Sequence, residues 1–430
     1  MRWAALIALV ICLAGGALRA QGVRVIDLGG GIYQAVGAGV AGGSTVRVPQ
    51  SNTFLVVTNG GNVVIDTSIA AVADAHQRAL LAVNRGPIRA IVLTHAHGDH
   101  TGGIGLWRQA GTDVIAQRGY PEFLDYTNRL SGYFARSNVA QFGGVTGARP
   151  AQSQQPARSE PLVGIPPVDP RPNVLFDETH SFEVGETKFE LLHTPGETPE
   201  HLTVWIPKLK AAFVGDNYYE SFPNLYTLRG TRPRWALDYV HSLNKVLALE
   251  PELVLPSHGE AIRGRDEVRR RLTKYRDAIL YVHDATVKGM NDGKDVLTLM
   301  REITLPPDLA LGESYGRLTW SIRGIYEGYV GWFDGNVSTM FGPPSQGYSA
   351  MVSLAGGPDR VAARAHEVAE QDPLTALYLT DMALAVDPKH RASLEARIAA
   401  LKILDARSNN SNERGWLAAG IRQAEAKLKQ

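Results

Sequence analysis

The feature that most constrains this chain is a cluster of metal-capable side chains at residues 95–100. Four of these six residues can bind a metal ion: His95, His97, Asp99 and His100. The preceding run, 88–93, is apolar and β-branched, which is typical of a buried strand. The cluster is therefore predicted to lie on a strand-to-helix turn at a sheet edge, where α/β folds place ligands. One ion rarely takes four ligands from so tight a loop, so the spacing favours two adjacent ions over a set of surface histidines.

The pattern His-x-His-x-Asp-His after a strand resembles the metallo-β-lactamase superfamily. The resemblance implies an α/β fold, an αββα sandwich of two sheets flanked by helices. It also implies three later ligands in an order that this chain follows: Glu197, Asp216 and His258. Glu197 stands where the superfamily usually has a histidine.

The resemblance divides these ligands between two metal sites. The first contains His95, His97 and Glu197, the second contains Asp99, His100 and His258, and Asp216 bridges them. Imidazole and carboxylate ligands suit zinc, so two divalent ions are expected, with Zn²⁺ as the expected metal. The oxygen ligand Glu197 weakens the case for zinc over manganese or iron. The alternative is that Glu197 lies behind the metal and His201 binds it instead.

An anionic substrate would need a further positive group, and Arg229 is the candidate. A guanidinium presents a planar fork of donors that fits sulfate or phosphate oxygens. From the chemistry alone, a surface arginine at the start of a helix is an equal alternative.

The segment around Arg229 is similar to the alkyl sulfatases (type III sulfatases). The shared features are the glutamate at 197, a carboxylate followed by Asn nineteen residues later, and Asn-Leu-Tyr-Thr-Leu-Arg-Gly at 224–230. The resemblance implies that Asp99 and Arg229 are catalytic. It implies that Asn224, Tyr226 and Arg229 bind substrate. His241 and Tyr226 are candidate donors of the proton that the leaving alcohol needs.

A second block resembles the all-helical dimerisation region of the same family. It comprises residues 289–295 and 315–336. Without the family, 315–333 is an aromatic-rich amphipathic helix, which is more often core or interface than part of a cofactor site. Both interpretations give this segment a structural role. From the resemblance we expect a homodimer.

Three departures from the alkyl sulfatases affect the expected substrate. Asp216 stands where these enzymes commonly have Glu, so the metal spacing is expected to differ. The stretch 130–172 matches poorly, and it should help to form the alcohol side of the pocket. The sequence stops at Gln430 without the sterol-carrier-like domain of full-length relatives. A shorter or more polar alcohol is therefore expected.

The first twenty residues resemble a secretory signal. A short basic start precedes an apolar run at 4–14, and cleavage is expected near Ala20. A retained membrane anchor is the alternative, although the run is short for a span. We expect a periplasmic or secreted protein without stable membrane insertion. The one cysteine, Cys12, lies in this segment, so the metals must be held by His and carboxylate side chains.

The remaining organisation follows from composition. We expect a signal peptide at 1–20, a catalytic domain at 21–264, a helical dimerisation region at 265–355 and a helical, tetratricopeptide-like cap at 356–430. Residues 141–172 are rich in Gly, Pro, Gln and Ser and predict a long loop, either a lid or a disordered segment. Lys and Arg number 44 against 43 Asp and Glu, which gives no support for nucleic-acid binding.

Together these features predict a dinuclear metal-dependent hydrolase of small anionic alkyl sulfate monoesters. Another hydrolase of the same fold, such as a phosphoesterase, lactonase or β-lactamase, is the alternative. A non-catalytic binding protein whose metals only stiffen its loops is a further one.

Overall fold

The structure is a computed structural model, and it describes residues 22–37, 51–142, 171–341 and 344–430. The predicted signal peptide, its cleavage site near Ala20 and most of the predicted loop at 141–172 lie outside the described residues.

The described strands form a seven-stranded sheet, in the order β1 to β7, and a six-stranded sheet, in the order β13-β12-β11-β10-β9-β8. The strands are β1 Arg24–Gly29, β2 Ile32–Val36, β3 Thr53–Thr58, β4 Gly61–Ile65, β5 Ile88–Val92, β6 Asp113–Gln117, β7 Val174–Phe176, β8 Thr179–Val184, β9 Thr187–His193, β10 Leu202–Ile206, β11 Ala211–Gly215, β12 Leu253–Pro256 and β13 Ile262–Arg263. Strands β4 to β7 are parallel, as are β11 and β12, while the remaining neighbours are antiparallel.

The hairpin of β3 and β4 begins the part of the sheet that leads to the metal cluster. Two runs of β-branched residues flank Asn59-Gly60, and they pair so that Phe54 lies opposite Ile65. A β-carbon on Gly60 would lie 2.3 Å from the backbone nitrogen of Gly185, so only glycine allows this close approach. Two apolar runs on either side of a turn of Asn and Gly residues thus form a β-hairpin, as this sequence pattern predicts.

The two sheets face each other across a shared apolar core. Phe54 of β3 contacts Phe213 of β11, with ring centroids 5.1 Å apart. The outer face of the first sheet packs on helices α1, α3 and α4, and the outer face of the second packs on α6, α7 and α9. This arrangement confirms the expected αββα sandwich.

The helices complete the sandwich and then continue alone towards the C-terminus. They are α1 Ala70–Val83, α2 Gly98–Thr101, α3 Ile104–Trp107, α4 Tyr120–Arg129, α5 Ser131–Phe142, α6 Ala236–Ala248, α7 Arg265–Asn291, α8 Val296–Glu302, α9 Leu318–Val330, α10 Tyr348–Leu354, α11 Pro358–Val368, α12 Pro373–Val386, α13 Arg391–Arg407 and α14 Ser411–Leu428. Side chains cap several of them; for example, Asp372 accepts from the backbone N–H of Thr375 at the start of α12.

The helical region shares its core with the sandwich. Leu272 of α7 and Ile322 of α9 lie in one apolar cluster with Val254 of β12. No helix in the described parts of the chain is both long and apolar enough to cross a membrane.

Candidate metal centre

The metal-capable cluster lies where β5 ends and α2 begins. His95 and His97 occupy the extended segment after the strand, and their facing nitrogens, Nε2 and Nδ1, are 2.9 Å apart. Asp99 and His100 lie in the first turn of α2, and Asp99 Oδ2 is 3.5 Å from His100 Nε2. The strand-to-helix turn predicted from the sequence therefore brings all four side chains together.

Asp216 lies at the centre of the arrangement. It follows β11, and its Oδ2 is 3.9 Å from His95 Nε2 and 3.4 Å from His100 Nε2. His258, which follows β12, brings its Nε2 to 3.5 Å from the same oxygen and 3.3 Å from Asp99 Oδ2. Because β11 and β12 are parallel neighbours, their carboxyl ends deliver these two residues to the same sheet edge.

The described residues contain three groups whose ligand atoms lie within 4.8 Å of one another. They are Asp99 with His100 and His258, His97 with Glu197 and Asp216, and His95 with His100 and Asp216. Asp216 and His100 each belong to two of the groups, and of these two residues Asp216 is the carboxylate, which can bridge two ions.

Glu197 is fixed between the cluster and a buried arginine. Its Oε1 is 3.7 Å from His97 Nδ1, while Oε2 is 2.5 Å from a guanidinium nitrogen of Arg234 and accepts a 2.9 Å hydrogen bond from the Tyr239 hydroxyl. One carboxylate oxygen therefore faces the centre while the other is held from behind. Arg234 offsets the charge of Glu197, so two divalent ions would meet a less negative ligand set than the three carboxylates suggest.

Both ring nitrogens of the alternative ligand, His201, make hydrogen bonds to the backbone. Its Nε2 accepts a 3.2 Å hydrogen bond from the backbone N–H of Asp216, and its Nδ1 donates to the carbonyl of Thr194 at 3.1 Å. Burial lowers the pKa of His201 to about 4, so the ring is neutral, as these two hydrogen bonds require. Both ring nitrogens are occupied, which favours Glu197 over His201 as a ligand.

Asp66 orients the cluster from beneath, and the sequence analysis missed it. Its Oδ2 accepts a 2.9 Å hydrogen bond from His100 Nδ1 and a 2.8 Å bond from the Ser257 hydroxyl, while Oδ1 accepts from the backbone N–H of Thr94. A carboxylate on Nδ1 leaves Nε2 of His100 free to bind a metal. The sequence signal for Asp66 was limited to an acidic residue directly after the apolar strand β4.

Glu200 is a second missed residue. Its Oε1 accepts a 3.1 Å hydrogen bond from the backbone N–H of Ala96, between the first two histidines. Burial raises the pKa of this carboxyl to about 7. Glu200 thus holds the turn that presents His95 and His97.

The charges of the cluster favour bound cations. Burial opposes protonation of His258, yet Asp216 and Asp99 outweigh it and raise its pKa to about 10. Among the described residues, His100 Nε2 and Asp216 Oδ1 are buried without a hydrogen-bond partner. Four imidazoles and three carboxylates with inward-facing free atoms fit a pair of divalent metal ions.

A cavity of about 760 Å³ opens over the cluster. Asp99, Asp216, Glu197 and His97 form one side, and Arg229 lines the same cavity. Arg229 makes no ion pair with any described residue, and its Nε is buried without a partner. The guanidinium therefore lies beside the candidate centre and is free to bind an anion.

Two tyrosines line this cavity that the sequence analysis did not select. The Tyr219 hydroxyl donates a 2.8 Å hydrogen bond to Asp216 Oδ2, and its ring lies 5.4 Å from the ring of Tyr315. Burial raises the pKa of both phenols, so both stay protonated and able to donate at neutral pH.

Three other predicted residues lie away from the cavity lining. Asn224 is buried beneath it, and its carbonyl accepts a 2.9 Å hydrogen bond from Arg234. Tyr226 is 39% exposed and packs near Gly324 of α9, and His241 is exposed on α6. Tyr226 and His241 are therefore not among the described residues that line the cavity.

Comparison with known families agrees with this architecture. Residues 46–258 match the metallo-beta-lactamase superfamily, and residues 297–427 match the family described as alkyl sulfatase dimerisation. The chain thus joins a metallo-β-lactamase domain to an alkyl sulfatase dimerisation domain.

The individual relatives include several alkylsulfatases. A linear primary-alkylsulfatase of Pseudomonas sp. is 28% identical over 391 residues, covering 86% of this chain and 73% of the relative. An (R)-specific secondary-alkylsulfatase of Pseudomonas sp. is 26% identical over 86% of this chain and 59% of its own length. An alkyl/aryl-sulfatase of Saccharomyces cerevisiae is 25% identical over 78% of this chain and 53% of its own length.

A solved structure shows the same fold. The stereoselective inverting sec-alkylsulfatase Pisa1 from Pseudomonas sp. superposes with a TM-score of 0.81 at 23% identity, covering 94% of this chain and 66% of that protein. The chain therefore spans about two thirds of the length of this structure.

Proposed function

We propose that the protein is a dinuclear metal-dependent hydrolase that cleaves alkyl sulfate monoesters into an alcohol and sulfate. The observation that carries the proposal is the guanidinium of Arg229, which has no ion pair with a described residue and lines the same cavity as five of the seven metal-capable side chains. The alkylsulfatase relatives support the sulfate ester as substrate.

The residues that would hold the metals are the seven selected from the sequence. They are His95, His97, Asp99, His100, Glu197, Asp216 and His258. Such ions, when bound, supply Lewis-acid activation of a water molecule and of the ester oxygens. Zinc is our proposal for the metal, because four imidazoles and three carboxylates suit it.

The side chains around the centre would have different roles in binding and cleaving the ester. Arg229 would bind the sulfate oxygens as a planar fork, which fixes the ester relative to the ligand cluster. Tyr219 would hold Asp216 in place through its hydroxyl. Asp99 lines the cavity between His100 and His258, where it would lie close to a bound ester.

The rest of the cavity would receive the alcohol. Ile69, Leu124 and Phe142 provide apolar surface, and Asn138 and Ser411 provide polar groups. A mixed lining suits an alcohol that has both apolar carbon and a polar substituent.

A homodimer is part of the proposal. Large apolar side chains are exposed in and beside the region that matches the dimerisation family, including Trp332 at 72% and Leu354 at 90%. An exposed apolar set of this kind favours burial against another protein surface, and a second copy is the proposed partner. Export to the periplasm or medium is proposed from the N-terminal twenty residues alone.

A substrate screen tests the proposed activity. The chain is reconstituted with zinc and assayed against short alkyl sulfates, aryl sulfates, phosphate monoesters, lactones and β-lactams. We expect turnover of alkyl sulfates that a chelator abolishes and added metal restores. Turnover of phosphate esters, lactones or β-lactams without any sulfate hydrolysis would overturn the proposal, as would the absence of all metal-dependent turnover.

A further inference from the structure

Gln141, at the end of α5, joins two distant parts of the molecule. Its side chain is fully buried. Its Oε1 accepts a 3.0 Å hydrogen bond from the backbone N–H of Arg229 and a 3.2 Å bond from the indole N–H of Trp416 in α14. A carboxamide oxygen has two acceptor sites, so these two donors occupy it fully.

The amide nitrogen of Gln141 makes a further contact with the segment that carries Arg229. It lies 3.3 Å from the hydroxyl of Thr227, two residues before Arg229. Gln141 therefore holds the segment 227–229 at two points, the backbone N–H of Arg229 and the side-chain hydroxyl of Thr227. Since Arg229 has no ion pair with a described residue, its direction depends on this backbone rather than on a charged neighbour.

Helix α14 presses directly against Gln141. A β-carbon on Gly415 would lie 1.8 Å from the Gln141 carbonyl oxygen, so the two backbones meet at a distance that only glycine permits. This contact places the Trp416 indole against the carboxamide. The C-terminal helix α14 therefore packs against Gln141, beside the segment that carries Arg229.

The start of α14 also holds a second cavity segment. Asn410 donates a 2.7 Å hydrogen bond to the Glu313 carbonyl and a 3.0 Å bond to that of Tyr315, and Asn412 donates a 3.0 Å bond to the same Tyr315 carbonyl. Tyr315 and Ser411 both line the cavity. Two separate cavity segments, one ending at Arg229 and one containing Tyr315, are thus attached to a single helix.

We propose that Gln141, held by Trp416, is a positioning residue for Arg229, so that the C-terminal helix α14 sets the strength of sulfate binding. This inference rests on the proposed sulfatase function. Gln141 has no contact with the metal ligands in the described structure, so it acts on the anion and not on the metals.

Two variants test the inference independently. Gln141→Leu removes the acceptor at similar volume, and Trp416→Phe keeps an aromatic ring but removes the N–H donor. Trp320→Phe, on α9 away from the cavity lining, is the matched control. The readouts are kcat, KM for a short alkyl sulfate, the inhibition constant of inorganic sulfate, and the zinc content per chain.

We expect KM and the sulfate inhibition constant to rise about tenfold in Gln141→Leu, as the loss of the buried hydrogen bond to the Arg229 backbone predicts. Trp416→Phe should show a smaller rise in the same two constants, with zinc content unchanged. The double variant should bind sulfate no more weakly than the two single effects added together predict, because both substitutions act through one carboxamide oxygen. The control should match the wild type.

The possible failures are distinguishable. If the wild-type protein hydrolyses no alkyl sulfate, the proposed function is wrong. If it does, and both variants keep the wild-type KM and sulfate inhibition constant, the positioning role is wrong. A loss of zinc, or a fall in kcat alone, in the soluble Trp416→Phe variant would also overturn it. Should Gln141→Leu fail to fold, Trp416→Phe still decides.

Discussion

The cavity has two sides that are built in different ways. The metal side comes from side chains at the ends of β5, β11 and β12, in the first turn of α2 and in the loop between β9 and β10. The helical side comes from α5, the segment around Tyr315 and the start of α14. The metal side consists of short sequence motifs on rigid strands, while the helical side depends on contacts between elements far apart in the chain. The candidate metal ligands thus follow from short local motifs, whereas the shape of the helical side follows from packing between distant elements.

The largest effect is expected on the metal side. Asp216→Asn should lower kcat/KM more than about a thousandfold, since the centre loses the charge that holds both metal groups together. Zinc content should fall in the same variant, as measured by elemental analysis of the dialysed protein. Asp308→Asn, an exposed carboxylate outside the cavity, is the control. Near-normal activity with full zinc in Asp216→Asn would show that this residue does not bridge metals.

Arg229→Ala should have the next largest effect. We expect kcat/KM for alkyl sulfates to fall about a hundred- to a thousandfold, because a charged donor in a dry site is removed. Zinc content should stay unchanged, which separates this variant from the previous one. Arg118→Ala, an exposed arginine paired with Asp177, serves as the control. A lactone or β-lactam activity that survives Arg229→Ala while sulfate hydrolysis was never present would favour another hydrolase.

Asp66→Asn should weaken metal binding without removing a ligand. Asn tolerates the positive backbone φ of 54° at this position, so the fold should be kept. The neutral amide supports His100 less well, and we expect zinc affinity to fall about ten- to a hundredfold. Competition with a chromogenic chelator measures this. Ser257→Ala removes one of the bonds to Asp66 and should show a smaller shift in the same direction; equal affinity in both variants and the wild type would contradict the role of Asp66.

The smallest effect on turnover is expected at the exposed apolar region. Trp332→Glu combined with Leu354→Glu should convert the proposed dimer to a monomer, as seen by sedimentation. The metal side lies within one chain, so kcat should change by no more than about twofold. Val83→Glu, on α1, is the control and should remain dimeric. A variant that stays dimeric would place the interface elsewhere, and a large loss of zinc on dissociation would show that the two sides are not independent.

Much of the metal side could be predicted from the sequence. The hairpin, the strand before His95 and the strand before Asp216 all follow from runs of apolar β-branched residues between turn residues. The described structure brings all seven predicted metal-binding side chains together. Their roles as ligands stay a prediction until metal is observed.

The supporting residues could not be predicted, for a physical reason. Arg234 meets Glu197 and Asp66 meets His100 only after the chain has folded, and neither pair has a sequence spacing that marks it. Buried polar side chains such as Gln141 also follow no periodic pattern, because their partners lie on other elements. Tyr226 was selected because it lies in the segment 224–230 that resembles the alkyl sulfatases, whereas the structure places its side chain against Gly324 of α9.

The central claim is that seven side chains hold two metal ions facing Arg229. The most direct measurement is a crystal structure of the zinc-loaded protein with inorganic sulfate, with anomalous scattering recorded at the zinc edge. The account predicts two anomalous peaks, one beside Glu197 and one beside His258, both next to Asp216, with sulfate oxygens on the Arg229 guanidinium. A single peak, a metal bound by His201 instead of Glu197, or sulfate bound away from Arg229 would contradict it.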